Sequence, residues 1–186
     1  MVIPNENADI YYDLKDKFND LEDEELIAAI CVELQNQNVA AFSSFGAYSS
    51  LLLSMISEVN KNIPILFIDT EKHFKETLKF VKNVEAEYGL NNIIRLKPDS
   101  KIINNIDSKG NLWQLNPNRC CWARKVEPLD RYLRENSFRL IFTGRRYYQT
   151  PERSNLEKIE MDEKGIIKVN PLAFWSKNKV IREFNN

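Results

Sequence analysis

The sequence predicts an α/β protein, a Rossmann-like parallel sheet held between two helical layers as a three-layer sandwich. Three observations carry that prediction. Four short apolar segments, VAAFS, IPILFID, NIIRLK and FRLIFTG, are apolar on both alternating faces, as strands buried on both sides must be. Between them run longer stretches with apolar residues at helical spacing, the alternation that builds βαβ units. No repeat, low-complexity tract or Gly/Ser linker divides the chain, so residues 1–186 read as a single domain.

In chain order, Leu21 to Gln37 places Leu21, Leu26, Ile27, Ile30 and Leu34 on one helical face, with Asp20 as its N-cap. VAAFS is the first strand, and SLLLSMISEV resumes helical spacing. IPILFID is a strand opened by Pro64; FKETLKFVKNVEAEYG is an amphipathic helix stopped by Gly89, where a left-handed residue closes the last turn. NIIRLK is the third strand, Ala123 to Asn136 a helix, and FRLIFTG the fourth strand. EKIEMDEKGIIKV reads as a hairpin turning near Asp162 to Gly165, and a last helix begins near Ser176.

Composition narrows the function. Hydrophobic residues at 43% and charged residues at 28% fit a packed globular chain and exclude a disordered one. A net charge of −1 gives no support to a nucleic-acid partner. The longest apolar runs, Leu51 to Ile56 and Ile63 to Ile68, fall far short of the roughly 18 residues that cross a bilayer. The start, MVIPNENADI, lacks the basic-then-apolar layout of a secretory signal, so a cytoplasmic protein without a membrane partner is expected.

The three cysteines do not make a disulfide scaffold. Cys120 and Cys121 are adjacent, with Cα atoms about 3.8 Å apart where a bridge prefers roughly 4.4–6.8 Å. They point instead to metal, cluster or redox chemistry. Cys31 lies among apolar residues in LIAAICVEL and reads as a buried structural thiol.

Ligands of such sheets bind beyond the carboxyl ends of the strands, which directs attention to Ser43, Asp69 and Thr143. SSFGAYSS, Ser43 to Ser50, joins a strand to a helix with hydroxyls and a glycine. It suits either a phosphate at a helix N-terminus or a plain serine-capped turn, and it lacks the Gly-Lys-Ser/Thr ending of a Walker loop. Asp69 and Thr70 suit a ribose hydroxyl, a base edge or a cap; His73, the single histidine, suits a structural role more than a functional one. TGRRYYQTPER carries Arg145, Arg146 and Arg153, and no acid occurs from Asn136 to Pro151. Asn111 to Lys125 is also acid-free, with Arg119, Arg124 and Lys125. Two basic stretches around a phosphate-type loop imply a ligand with more than one anionic group.

Five ordered segments resemble the adenylylsulfate and phosphoadenylylsulfate reductases of the PP-loop, adenine nucleotide alpha-hydrolase-like superfamily. They are SSFGAYSSLLL, ILFIDTEKHFKETLKFV, CCWARKVEPLDRYL, TGRRYYQTPERS and VNPLAFWSKNKV, spanning Ser43 to Val180. The resemblance implies an oxidoreductase of sulfate assimilation that reduces the sulfonucleotide to sulfite, with thioredoxin or glutaredoxin as reductant. By position, Ser43, Ser44, Phe45, Gly46, Ala47 and Ser49 would line the nucleotide or its phosphate, and Asp69 and Thr70 the nucleoside side. Arg124, Lys125, Arg146 and Arg153 would hold the phosphosulfate, with Lys125 and Arg124 nearest the chemistry. Cys120 and Cys121 would supply two of four thiolates to a four-iron, four-sulfur cluster, as in the mostly adenylylsulfate-specific branch.

The departures from the family pattern are also informative. Tyr48 and Ser49 stand at the acidic end of the pyrophosphatase loop, so neither ATP nor Mg²⁺ is expected. Tyr147 replaces one arginine of the usual pair. The family's second cysteine pair and its nucleophilic cysteine lie in a C-terminal segment that these 186 residues do not contain. The expectation is a truncated or split reductase, as a homo-oligomer or with a partner supplying the missing cysteines. The alternatives are an ATP-dependent PP-loop sulfurtransferase or adenylating enzyme, and a non-catalytic nucleotide-binding subunit.

Overall fold

The computed structural model describes residues 5–35 and 38–185. Two helices precede the first strand, α1 (Asn5–Phe18) and α2 (Asp23–Glu33). The sequence reading did not anticipate α1, although Ile10, Leu14 and Phe18 recur every fourth residue and set one face on the core. α2 is shorter than Leu21–Gln37, positions 36 and 37 lying outside the described residues. Glu22, not Asp20, stands at its N-cap. The physical reason is the next residue: the Asp23 carboxylate accepts from the Trp175 indole and from Lys179 Nζ at 2.9 Å, which ties the helix start to the far end of the chain.

β1 (Val39–Phe42), α3 (Ser50–Val59), β2 (Ile65–Ile68), α4 (Lys75–Tyr88) and β3 (Ile93–Leu96) follow as the apolar patterns predict. Gly89 ends α4 at φ 63°. Next come α5 (Ser100–Ile106), with both its early N–H groups held by Asp99, and α6 (Leu112–Leu115). The helix expected from Ala123 starts six residues earlier, as α7 (Pro117–Cys121). Asn116 caps it, accepting from Arg119 N at 3.0 Å, and Pro117 fills the first turn, where no N–H is needed.

α7 runs through a π-helical turn, Trp122–Val126, into α8 (Glu127–Glu135). Glu127 N–H bonds to Trp122 O, five residues back. An α-helical register here would drive the Pro128 ring against the Arg124 carbonyl, and the wider turn relieves that clash. β4 (Leu140–Thr143), the hairpin β5 (Ile159–Met161) and β6 (Ile167–Val169), and α9 (Lys177–Asn185) complete the chain.

The sheet order is β3-β2-β1-β4-β6-β5, parallel throughout except for the antiparallel β5–β6 pair. Alternate strand residues feed two cores. Ala41, Ile65, Phe67, Leu140 and Phe142 pack with Leu14, Ile27, Leu52 and Val81 of α1–α4. Ala40, Leu66 and Ile141 pack on the other side with Leu133 and Leu129 of α8. That period-2 division makes the fold a three-layer α/β sandwich. The chain leaves β1 towards β2 and β3, then returns to place β4 on the opposite side. The carboxyl ends of β1 and β4 therefore border a topological switch point, where such sheets open a crevice.

Candidate active site

A cleft of about 540 Å³ occupies that crevice. Phe42, Ser44, Gly46, Tyr48 and Ser49 line it from the β1 side, and Thr143, Gly144, Arg145, Arg146, Gln149 and Arg153 from the β4 side. The loop after β1 is tightly wound. Ser43 Oγ, buried, accepts from Phe45 N at 3.1 Å, and Ser49 Oγ donates to Gly46 O at 2.6 Å. Phe45 adopts φ 49°, a costly conformation for a bulky residue, and its ring is buried edge-on against Phe67. Phe45 and Ser43 thus shape the loop from behind, while Ser44, Gly46 and Ser49 face the cleft. Ala47 opens the short 3-10 turn before α3, and its side chain lies outside what is described.

The β4 side is cationic, and its arginines differ. Arg145 pairs with Glu160 and donates through Nε to Thr143 Oγ1 at 3.1 Å; Lys168 pairs with Asp162 at 2.7 Å. Arg146 is buried, yet its Nε and Nη1 have no partner among the described residues. Its guanidinium carbon lies 5.9 Å from the Tyr148 ring centre. Burial and the adjacent Arg145 and Arg146 charges push Arg153 below the usual arginine range. With Arg145 and Lys168 paired to carboxylates, the unpaired Arg146 nitrogens beside Arg153 form a site prepared for an anion.

A second cleft of about 600 Å³ gathers Thr70, Lys72, His73, Trp113, Cys120, Cys121, Arg124 and Lys125. Cys121 and Lys125 are exposed, Cys120 is half-buried, and Lys125 has no ion-pair or hydrogen-bond partner among the described residues. Arg124 is different. Its Nη2 donates to Asp107 Oδ2 at 2.7 Å and its Nη1 to the Thr70 carbonyl at 3.0 Å, both groups being buried. Asp107 also accepts from Leu112 N at 2.8 Å. Hydrogen bonding from Arg124 holds the Asp107 carboxyl below the ordinary carboxylate range. Arg124 therefore braces the cysteine-bearing helix against the loop after β2, with only Nε unpaired.

Of the sequence-predicted residues, Ser44, Gly46, Ser49, Arg146 and Arg153 share the first cleft, and Thr70, Cys120, Cys121, Arg124 and Lys125 share the second. Asp69 lines neither: it accepts from Glu71 N at 3.1 Å and lies 4.0 Å from Arg95. His73 lines the second cleft, donates from Nε2 to Ile68 O at 2.9 Å and stacks on Phe67. Sequence reasoning missed Gln149, Asn170 and Asp107. Asn170 lies fully buried, accepts from Thr143 Oγ1 and donates to Glu157 O at 2.8 Å; its signal was the polar residue inside an apolar strand end. Asp107 is far from Arg124 in sequence and carried no local signal.

Two thiols do not complete a four-thiolate cluster. Cys31 is buried in the core under α2, its thiol pushed up to about 11 by burial. No group of three or more His, Cys, Asp or Glu suited to a metal occurs among the described residues. No helix among them is long and apolar enough to cross a membrane.

The chain is similar to known proteins over most of its length. The family described as phosphoadenosine phosphosulfate reductase domain matches residues 38–183. The adenosine 5'-phosphosulfate reductase of Mesorhizobium japonicum is 43% identical over 152 residues, 82% of this chain and 59% of the relative. The adenosine 5'-phosphosulfate reductase 2 of Bacillus subtilis is 37% identical over 72% of this chain and 56% of its own length. The phosphoadenosine phosphosulfate reductase of Emericella nidulans is 36% identical over 74% and 47%. The chain thus spans about half to three fifths of these relatives. A crystal structure of phosphoadenylyl-sulfate (PAPS) reductase from Candida auris, a phosphate complex, superposes with a TM-score of 0.72 at 28% identity. That match covers 94% of this chain and 84% of the other. With the match running from before β1 into α9, the chain belongs to the phosphoadenosine phosphosulfate reductase domain family.

Proposed function

We propose that this chain is the sulfonucleotide-binding body of a reductase that converts adenylylsulfate, or its 3′-phosphorylated form, to sulfite in cytoplasmic sulfate assimilation. The observation that carries the proposal is Arg146, a buried guanidinium without a carboxylate at the switch-point cleft, beside Arg153 and opposite the Ser44–Ser49 loop. An uncompensated buried cation is costly, and an anionic ligand removes the cost.

The Ser44–Ser49 loop would take the nucleotide phosphate, whose charge suits the positive end of the α3 dipole. Arg146 and Arg153 would hold the phosphosulfate oxygens, and Thr70 would meet the nucleoside, with Asp69 behind it holding the loop through Glu71 N. In the reaction, a cysteine thiolate attacks the sulfo sulfur. The bond from sulfur to the bridging oxygen breaks, and AMP or its 3′-phosphate departs with the electron pair. The resulting S-sulfocysteine is reduced by the dithiol of thioredoxin or glutaredoxin, which becomes a disulfide as sulfite is released. Arg146, Arg153 and Lys125 would offset the charge growing on the departing phosphate.

Among the thiols of this chain, Cys31 is excluded as nucleophile by burial. Cys120 and Cys121 would be two ligands of a four-iron, four-sulfur cluster only with two donors from beyond the described residues, so no step is assigned to a cluster. The direct test is calorimetry with adenylylsulfate and with its 3′-phosphorylated form: binding of one or both is expected, and binding of neither would refute the proposal.

A further inference from the structure

Gln149 meets both Arg146 and Arg153 of the switch-point cleft with one atom. Its Oε1 accepts from Arg146 N at 3.0 Å and also from Arg153 Nη1. The backbone before the hairpin is thereby folded so that Arg146 turns inward and Arg153 is held beside it. Gln149 itself lines the cleft.

The chemistry of that atom matters. Arg145, next along the chain, is discharged by Glu160, and Lys168 by Asp162. The Arg153 guanidinium and the Arg146 backbone N–H are held by a neutral oxygen, which fixes both residues and leaves their charge intact. A carboxylate of the same shape would accept both bonds and cancel part of that charge. An amide is thus the side chain that orders two like charges without neutralising them.

From this we infer that Gln149 is a positioning residue for anion binding: it sets the Arg146–Arg153 pair and keeps it uncompensated for an oxyanion of the phosphate or sulfate class. The inference rests on the proposed sulfonucleotide reading only for what else the ligand carries, since the oxyanion itself is common to both.

Gln149→Glu separates this role from a structural one. The variant keeps the size of the side chain and both accepted bonds, so a residue that merely braces the loop would tolerate it. Calorimetric titration of the wild type, Gln149→Glu and Gln149→Ala with inorganic phosphate and with AMP is the test, alongside thermal unfolding of each. The expected result is a loss of affinity of roughly tenfold or more for both ligands in Gln149→Glu, with an unchanged or raised melting temperature. Gln149→Ala should also weaken binding, through loss of placement. Equal affinity of the wild type and Gln149→Glu for phosphate would overturn the inference, as would a wild type that binds neither probe. A wild type that binds AMP no tighter than phosphate, with Gln149→Glu still weaker, would leave the inference standing and remove the nucleotide reading.

Discussion

The two clefts at the carboxyl edge of the sheet each contain a buried arginine, and they use it in opposite ways. In the switch-point cleft, Arg146 is buried with two nitrogens unpaired. In the cysteine cleft, Arg124 is equally buried, with Asp107 and the Thr70 carbonyl on its two Nη atoms. Sequence alone put both in the same role, as anion clamps. The difference teaches that a motif arginine must be judged by what faces its guanidinium: an unpaired one is available to a ligand, whereas a paired one braces the backbone that presents its neighbours.

The most forceful way to break the contrast is to remove Asp107. Asp107→Ala strands the buried Arg124 charge, and chemical denaturation should show a loss of about 3–5 kcal/mol. The double variant Asp107→Leu with Arg124→Met removes both charges and should recover most of that loss. Should the single variant be as stable as wild type, Arg124 is not a brace.

The converse change in the other cleft should behave differently. Arg146→Met is expected to weaken phosphate or AMP binding by about 2–3 kcal/mol while leaving stability nearly level, since Nε and Nη1 have no hydrogen bond to lose and only the contact with the Tyr148 ring goes. A destabilisation comparable to that of Asp107→Ala would erase the distinction.

Acid titration sharpens it further. Asp107 has a folded-state pKa below its unfolded value, so its contribution is complete above the ordinary carboxylate range and is lost as pH falls through the folded value. The wild type should therefore lose stability below about pH 4, and the Asp107→Leu, Arg124→Met double variant should show a shallower acid limb. An identical limb in both would assign the acid sensitivity elsewhere.

The smallest stability effect belongs to Lys125. It is exposed and unpaired, so Lys125→Ala should change folding stability by less than about 0.5 kcal/mol. In a turnover assay with adenylylsulfate and reduced thioredoxin, the proposed role of its charge on the departing phosphate predicts that the same substitution lowers kcat more than it raises KM.

Much of the fold was legible because buried parallel strands have an unmistakable apolar signature: β1 to β4 all fall inside the predicted segments. Boundaries set by tertiary contacts were not. Asp23 leaves its helix start to meet Trp175 and Lys179 from the opposite end of the chain, and nothing near Asp23 announces it. The π turn before Pro128 was legible in principle, from a proline inside a helical pattern. At the site, residue types and their grouping after strand ends could be read directly. Their division between two clefts could not, because Asp107 and Arg124, or Gln149 and its arginines, acquire their meaning only when the loops fold together.

The central claim, that the unpaired Arg146 marks the sulfonucleotide site, is tested most directly by calorimetric titration of adenylylsulfate into the wild type and into Arg146→Met. Saturable binding by the wild type, reduced by roughly thirtyfold or more in a folded Arg146→Met, is the predicted result. Equal binding by the two proteins would contradict it.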